Sequence, residues 1–385
     1  MKHITFIVLG IFVIFSNIAY AQVTNNTSAY KFKNSKQLKT TPVKDQNKSG
    51  TCWSFSVISM FESELLRTGK GEFDLSEMYV VRNAYESKAD KCVRMHGSME
   101  FTAGGELNDA GDIFKTCGIV PKQIYTGLKT KNEQIDHNEM DKALKSYVDS
   151  IVKPKDQVIT NNWFDGYNKL LDTYLGKIPK EFLYDGQNYT PQTFAQKLGI
   201  NPDDYILFTS FTHHPFYQKF ILEIPDNWSW GEYYNVPLEE LVSMIDSSLN
   251  NNYTLGWAAD NSEKGFSFNK GVAVIPNFDE KTATSDDWDR ALTHPYPEKE
   301  ITQALRQEQF DNFSTTDDHA MHFVGLAEDQ NGKKFYYVKN SWGTENPYKG
   351  YLYVSEAYVK LKTISILVNK NAIPLKTRNK FKELQ

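Results

Sequence analysis

The stretch Pro42-Val43-Lys44-Asp45-Gln46-Asn47-Lys48-Ser49-Gly50-Thr51-Cys52-Trp53-Ser54-Phe55-Ser56 decides how this chain is read. Its first part is polar and glycine-containing, which is loop chemistry. From Cys52 onward apolar residues recur at Trp53, Val57, Ile58, Phe61, Leu65 and Leu66. Those offsets mark one face of an α-helix, and Gly69 is a stop signal just past Arg67. Cys52 therefore opens a helix, where unpaired N–H groups and the helix dipole favour a thiolate, the nucleophilic form of cysteine. A structural cysteine is the plainer reading, but it accounts neither for the polar loop before the helix nor for the Trp-Ser-Phe-Ser run after the thiol.

The same stretch resembles the active-site segment of papain-like cysteine peptidases, whose pattern is a Gln, five residues, then C-W-x-F-S; Gln46 and Cys52-Trp53-Ser54-Phe55-Ser56 match it. Ser49 and Thr51 depart from the family's usual Cys and Ser/Ala, and neither change touches the chemistry. In that family the Gln side chain donates to the developing oxyanion beside the nucleophile's own N–H. A thiolate also needs a base and an orienter for it. Asp318-His319-Ala320-Met321-His322-Phe323-Val324-Gly325 matches the family's D-H-A-x-x-x-V-G strand, and Val338-Lys339-Asn340-Ser341-Trp342-Gly343 matches its K-N-S-W-G. An Asn331-Gly332 turn and the run Phe335–Val338 predict a hairpin that brings His319 to Asn340. Residues three apart on a strand face opposite sides, so either His319 or His322 can point at Cys52, and the resemblance selects His319. It further implies that Asn340 fixes the imidazole tautomer and that Trp342 screens that bond from water. On the substrate side it implies Gly104 and Gly105, whose bare backbone would pair with the substrate's main chain, with Leu107 as a subsite wall and Trp342 bordering the cleft.

Papain-type enzymes place the His ~130–150 residues after the Cys; here roughly 120 more intervene, most naturally between Lys129 and Trp230. Within them Asp141–Val148 and the capped run Tyr189–Leu198 read as helices. An insertion of this size resembles the bleomycin hydrolase and aminopeptidase C branch. That resemblance implies an aminopeptidase acting on peptide substrates, assembled as a homo-oligomer (a hexamer in that branch), with a C-terminal arm laid into the cleft. The expected architecture is α+β: a signal peptide over 1–21, a helical lobe over 22–128, a mainly helical insertion over 129–230, a β-rich lobe over 231–374 and a tail over 375–385 that reaches the cleft. An endopeptidase of the same chemistry and a non-catalytic binding protein of this fold are the competing readings.

The remaining composition narrows the classes. Charges nearly balance, 43 basic against 48 acidic residues, and no basic run offers a surface for nucleic acid. Lys2 and His3, the apolar run Ile4–Ile18 and Ala19-Tyr20-Ala21 form a signal-peptide pattern, predicting export to a periplasmic or extracellular space with no membrane anchor after cleavage. The 3 cysteines leave at most one disulfide, with Cys92–Cys117 the open option. His213-His214 lacks a carboxylate or thiol at metal spacing, and phosphate-loop motifs are absent, so neither a metal nor a cofactor is expected.

Overall fold

The computed structural model describes residues 29–384 apart from 131–132, 154–157 and 161. The signal-peptide pattern and the last residue, Gln385, lie outside the described residues.

Strand β1 (Lys33–Gln37) leads into the polar loop, and helix α1 (Cys52–Arg67) begins at the thiol itself. Helix α1 ends as its sequence requires, with Gly69 in the left-handed region at φ 72°. It is buried along almost its whole length because α2 (Glu77–Arg94), α3 (Leu107–Cys117) and a large sheet all pack on it. Ser76 caps α2 by accepting from the Tyr79 N–H, and a Glu106–Asp109 capping box opens α3. Lys44 ties the polar loop to these helices, with its Nζ 2.8 Å from both Glu62 and Asp74 and 2.5 Å from Glu77.

The next segment holds α4 (Asn138–Val152), α5 (Asn162–Leu175), the hairpin β2 (Phe182–Tyr184) and β3 (Gln187–Tyr189), and α6 (Pro191–Leu198). Thr190 and Thr193 form the capping box of α6, with Pro191 in its first turn. The expectation of a mainly helical insertion needs correction in its second half. Strands β4 (Tyr205–Thr209) and β5 (Lys219–Ile221) join the main sheet, β5 pairing with β6 (Glu232–Asn235) and β4 with both β6 and the last strand. The insertion is thus partly woven into the β lobe.

The rest of that lobe is α7 (Leu238–Asn250), β7 (Leu255–Ala259), β8 (Phe266–Ser267), β9 (Val272–Ala273), α8 (Ser285–Thr293), α9 (Gln303–Asp311), β10 (His319–Glu328), β11 (Lys334–Lys339), β12 (Tyr351–Ser355), α10 (Glu356–Lys362) and β13 (Thr363–Asn369). The sheet runs β5-β6-β4-β13-β7-β10-β11-β12-β9-β8, with β1 added along the far half of β10. One core gathers the N-terminal helices and the insertion. A second lies between the sheet and α7 and α10, around Leu241, Ile245, Trp257, Phe323, Tyr336 and Tyr358. This is an α+β architecture of a helical lobe packed on a β-rich lobe, and α1 against β10 is its seam.

Two further expectations are corrected here. Cys52, Cys92 and Cys117 are all free, so no Cys92–Cys117 bridge forms. The described part of the tail, through Leu384, packs on the β lobe rather than along Cys52: after the short helix α11 (Leu375–Arg378), Phe381 is buried among Phe208, Tyr217 and Tyr234, and Lys380 pairs with Glu240. These partners belong to β4, β6 and α7 and to the β4–β5 connection, and none is a candidate site residue.

Candidate active site

Three chain segments meet at Cys52. The polar loop is stitched to the segment after β11 by backbone bonds, Gln46 N–H to the Ser341 carbonyl at 2.8 Å and Gly343 N–H to the Lys44 carbonyl at 3.2 Å. The Gln46 carboxamide is oriented from both ends. Its oxygen accepts from the Ser341 hydroxyl at 2.6 Å, and its nitrogen donates to the Ser49 carbonyl at 2.7 Å, leaving the second amide hydrogen uncommitted among the described residues.

Register does the rest. In β10, His319 pairs with Ala259 of β7, while β11 pairs only from His322↔Lys339 outward. His319 therefore overhangs the end of β11, and Asn340, the first residue past that strand, comes level with it. His319 Nε2 lies 2.7 Å from Asn340 Oδ1. The Ser341 N–H donates to the same atom at 2.8 Å, which identifies it as the amide oxygen. Nε2 must then carry the proton, and Nδ1 is left as the acceptor. The Trp342 ring centroid lies 4.5 Å from that of the imidazole, and the ring is itself edge-packed by Phe266 and Phe268.

The Cys52 thiol lies beside the Ala320 backbone N–H, one residue from His319, and Cys52 keeps part of its surface open to solvent. Burial pushes the thiol up to about 12, and the negative charges of Asp317 and Asp226 act in the same direction. Burial also pushes the His319 imidazole down to about 4, against the pull of Asn340 and Asp318. Enclosure thus opposes the thiolate that the helix N-terminus favours, and a base for the thiol is needed, as the sequence reading requires. His322 faces away, its Nδ1 3.0 Å from the Ser59 hydroxyl, which in turn accepts from the buried Lys339 ammonium at 2.8 Å.

On the other wall, Trp53 donates through Nε1 to the Ala103 carbonyl at 3.2 Å and so braces the loop that carries Gly104 and Gly105. A Cβ at Gly105 would meet Asp109 at 2.7 Å and Trp53 at 3.1 Å, and one at Gly104 would collide with the Asp226 carboxylate. Both positions need glycine for space. Leu107 is fully buried against Gly256, and its side chain also lines an open cavity together with Asn108, Gly231 and Leu367.

Several residues of the site carry no motif of their own. Lys88, buried in α2, donates to the Thr102 and Gly104 carbonyls and holds the glycine loop. Glu106 and Asp317 lie together. Burial and then Asp317 push the Glu106 carboxyl well above the usual range, burial pushes Asp317 up to about 7, and Tyr233 donates to Glu106 at 2.8 Å. Glu106 is adjacent to Gly105 and Asp317 lies two before His319, so proximity to the motifs was their available signal; Asp226 offered none. Elsewhere His213 and His214 have a carboxylate after all, donating to Glu223 at 3.3 and 2.8 Å.

Known proteins resemble this chain along its length. A model of the Peptidase C1-like family matches residues 13–385. Aminopeptidase G of Lactobacillus delbrueckii subsp. lactis is 23% identical over 395 aligned residues, covering 87% of this chain and 82% of the relative. Bleomycin hydrolase of Mus musculus is 23% identical over 384, covering 86% and 81%. PepW from Lactobacillus rhamnosis HN001 shares the fold with a TM-score of 0.69 at 19% identity, over 91% of this chain and 85% of that one. Because the family match runs to the end of the sequence and the fold agrees with it, the chain belongs to the Peptidase C1-like family and is a cysteine-type peptidase.

Proposed function

We propose that the protein is an exported aminopeptidase that removes residues from peptide N-termini by acyl transfer through Cys52. The observation that carries the chemistry is the 2.7 Å His319–Asn340 bond, covered by Trp342, with the Cys52 thiol at the neighbouring backbone N–H. Enclosure disfavours either charge alone. Moving the proton from Cys52 Sγ to His319 Nδ1 creates both charges at once, and each offsets the other's desolvation. The thiolate then attacks the peptide carbonyl carbon, and the oxygen takes the displaced electron pair. The free hydrogen of the Gln46 amide and the Cys52 N–H, unpaired in the first turn of α1, donate to that oxyanion. Collapse breaks the C–N bond, with His319 giving its proton to the leaving amine. His319 next takes a proton from water, hydroxide displaces the thioester sulfur, and the free acid leaves.

The exopeptidase reading is supported by relatives named aminopeptidase G, W, C and E. Export rests on the pattern in residues 1–21, and a secreted product whose mass begins at Gln22 would bear it out. A hexamer belongs to the same reading and is checked by light scattering.

The test uses protein from Gln22 onward under reducing conditions, with free-amine aminoacyl-coumarins, N-blocked peptidyl coumarins and Cys52→Ala as control. Hydrolysis of the free-amine set alone, lost in Cys52→Ala, is expected. Equal cleavage of blocked substrates would make the protein an endopeptidase, and turnover that survives Cys52→Ala would overturn the mechanism.

A further inference from the structure

The described part of the tail packs against β4, β6 and α7, and a carboxylate from the insertion stands beside the glycine loop. We propose that Asp226, contributed by the insertion, is the anchor for the substrate's α-ammonium group and so limits cleavage to the first residue. The inference rests on the aminopeptidase reading and names its specificity determinant.

Asp226 lies directly over Gly104, close enough that a Cβ there would collide with its carboxylate. The glycine loop is the backbone on which the substrate would lie one residue before the scissile bond. A carboxylate at that spot takes the space of a longer chain and offers a charge-assisted hydrogen bond to an amine. The loop beneath Asp226 is braced by Trp53, the residue after Cys52, through its bond to the Ala103 carbonyl and its packing on Gly105, and the Asp226 charge is felt at the thiol.

The carboxylate is held in place yet not used up. Its one hydrogen bond among the described residues comes from the Thr102 hydroxyl at 3.4 Å, and none of their Lys or Arg side chains forms an ion pair with it. Burial raises the Asp226 carboxyl and the Lys88 charge opposes that rise, while Lys88 itself donates to the Thr102 and Gly104 carbonyls. The neighbours of Asp226 fix its position. Buried Asn227 donates to the Leu222 and Gly231 carbonyls and accepts from the Gly231 N–H at 2.7 Å. Trp228 Nε1 donates to Asp109 at 2.6 Å, at the start of α3. The loop is thus tied to the helix that comes after the glycines.

The test compares the full protein with Asp226→Asn, Asp226→Glu and a chain lacking Gln385, on leucyl-coumarin and its N-acetyl form, with activity normalised to titratable Cys52. Losing the charge should raise KM for the free amine about ten- to hundredfold with kcat within about threefold, while N-acetyl turnover rises. Asp226→Glu should retain most of the preference, and removal of Gln385 should leave it intact. Full discrimination in Asp226→Asn would overturn the inference while leaving an aminopeptidase gated elsewhere, with loss on removing Gln385 pointing to the terminus. Equal use of both substrates by the unsubstituted protein would instead defeat the aminopeptidase reading. Should Asp226→Asn fail to fold, Asp226→Glu decides: moving the charge by one methylene should shift KM for the free amine alone, and an unchanged KM counts against Asp226.

Discussion

His322 and His319 are three residues apart on one strand and carry different duties. His319 meets Asn340 under Trp342, whereas His322 closes a buried chain from Lys339 through the Ser59 hydroxyl. Burial, and then the Lys339 charge, hold the His322 imidazole well below its ordinary value of 6.5. It stays neutral in the fold but takes up a proton in the unfolded chain below that pH. Its contribution to stability is therefore intact above 6.5 and is lost as pH falls, at about 1.4 kcal/mol per pH unit. His322→Gln removes that proton uptake, so the fall in melting temperature between pH 6.5 and 4.5 should be shallower than in the unsubstituted protein. An unchanged slope would mean that His322 is not buried neutral. At this scale the site was largely legible: Cys52, Gln46, His319 and Asn340 sit in short runs whose spacing carries the pattern. Asp226 was not, because its meeting with Gly104 is made by folding between distant segments, and no local spacing encodes it.

Among the elements, the hairpin β10–β11 followed from an Asn-Gly turn between two apolar runs, and α1 from its periodicity. Strands β4 and β5 did not, since a run such as Tyr205-Ile206-Leu207-Phe208-Thr209 reads equally as buried helix or strand until a partner strand claims it. The tail escaped for the same reason. Its eleven residues look basic and frayed, but Phe381 finds three aromatic rings contributed from elsewhere in the chain. Phe381→Ala should cost about 3 kcal/mol or more in a denaturant titration, as an unfilled aromatic site does. On free-amine substrates its kcat/KM should stay within about threefold at temperatures where it is folded. A large loss of kcat/KM without loss of stability would return the tail to the cleft.

Across the whole molecule, the decisive feature is that the thiol and its base belong to different lobes. Cys52 opens a helix of the N-terminal lobe, His319 opens a strand of the β lobe, and α1 packs against β10 at the seam. Sequence order shows which motifs must converge but not how far the enclosure at that seam suppresses each charge. Burial is the largest influence pushing the thiol up to about 12 and the imidazole down to about 4, so in the proposed mechanism reactive sulfur requires the proton to pass from one lobe to the other. The whole mechanism stands on that transfer, and alkylation reads it out at the sulfur itself. Iodoacetamide labelling of Cys52, Cys92 and Cys117 would be tracked by mass spectrometry across pH 5–9 in the unsubstituted protein and in folded His319→Ala. Near pH 6 Cys52 should label at least about tenfold faster than either other cysteine, and His319→Ala should abolish this lead. Equal Cys52 labelling with and without His319, or no lead over Cys117, would refute the transfer.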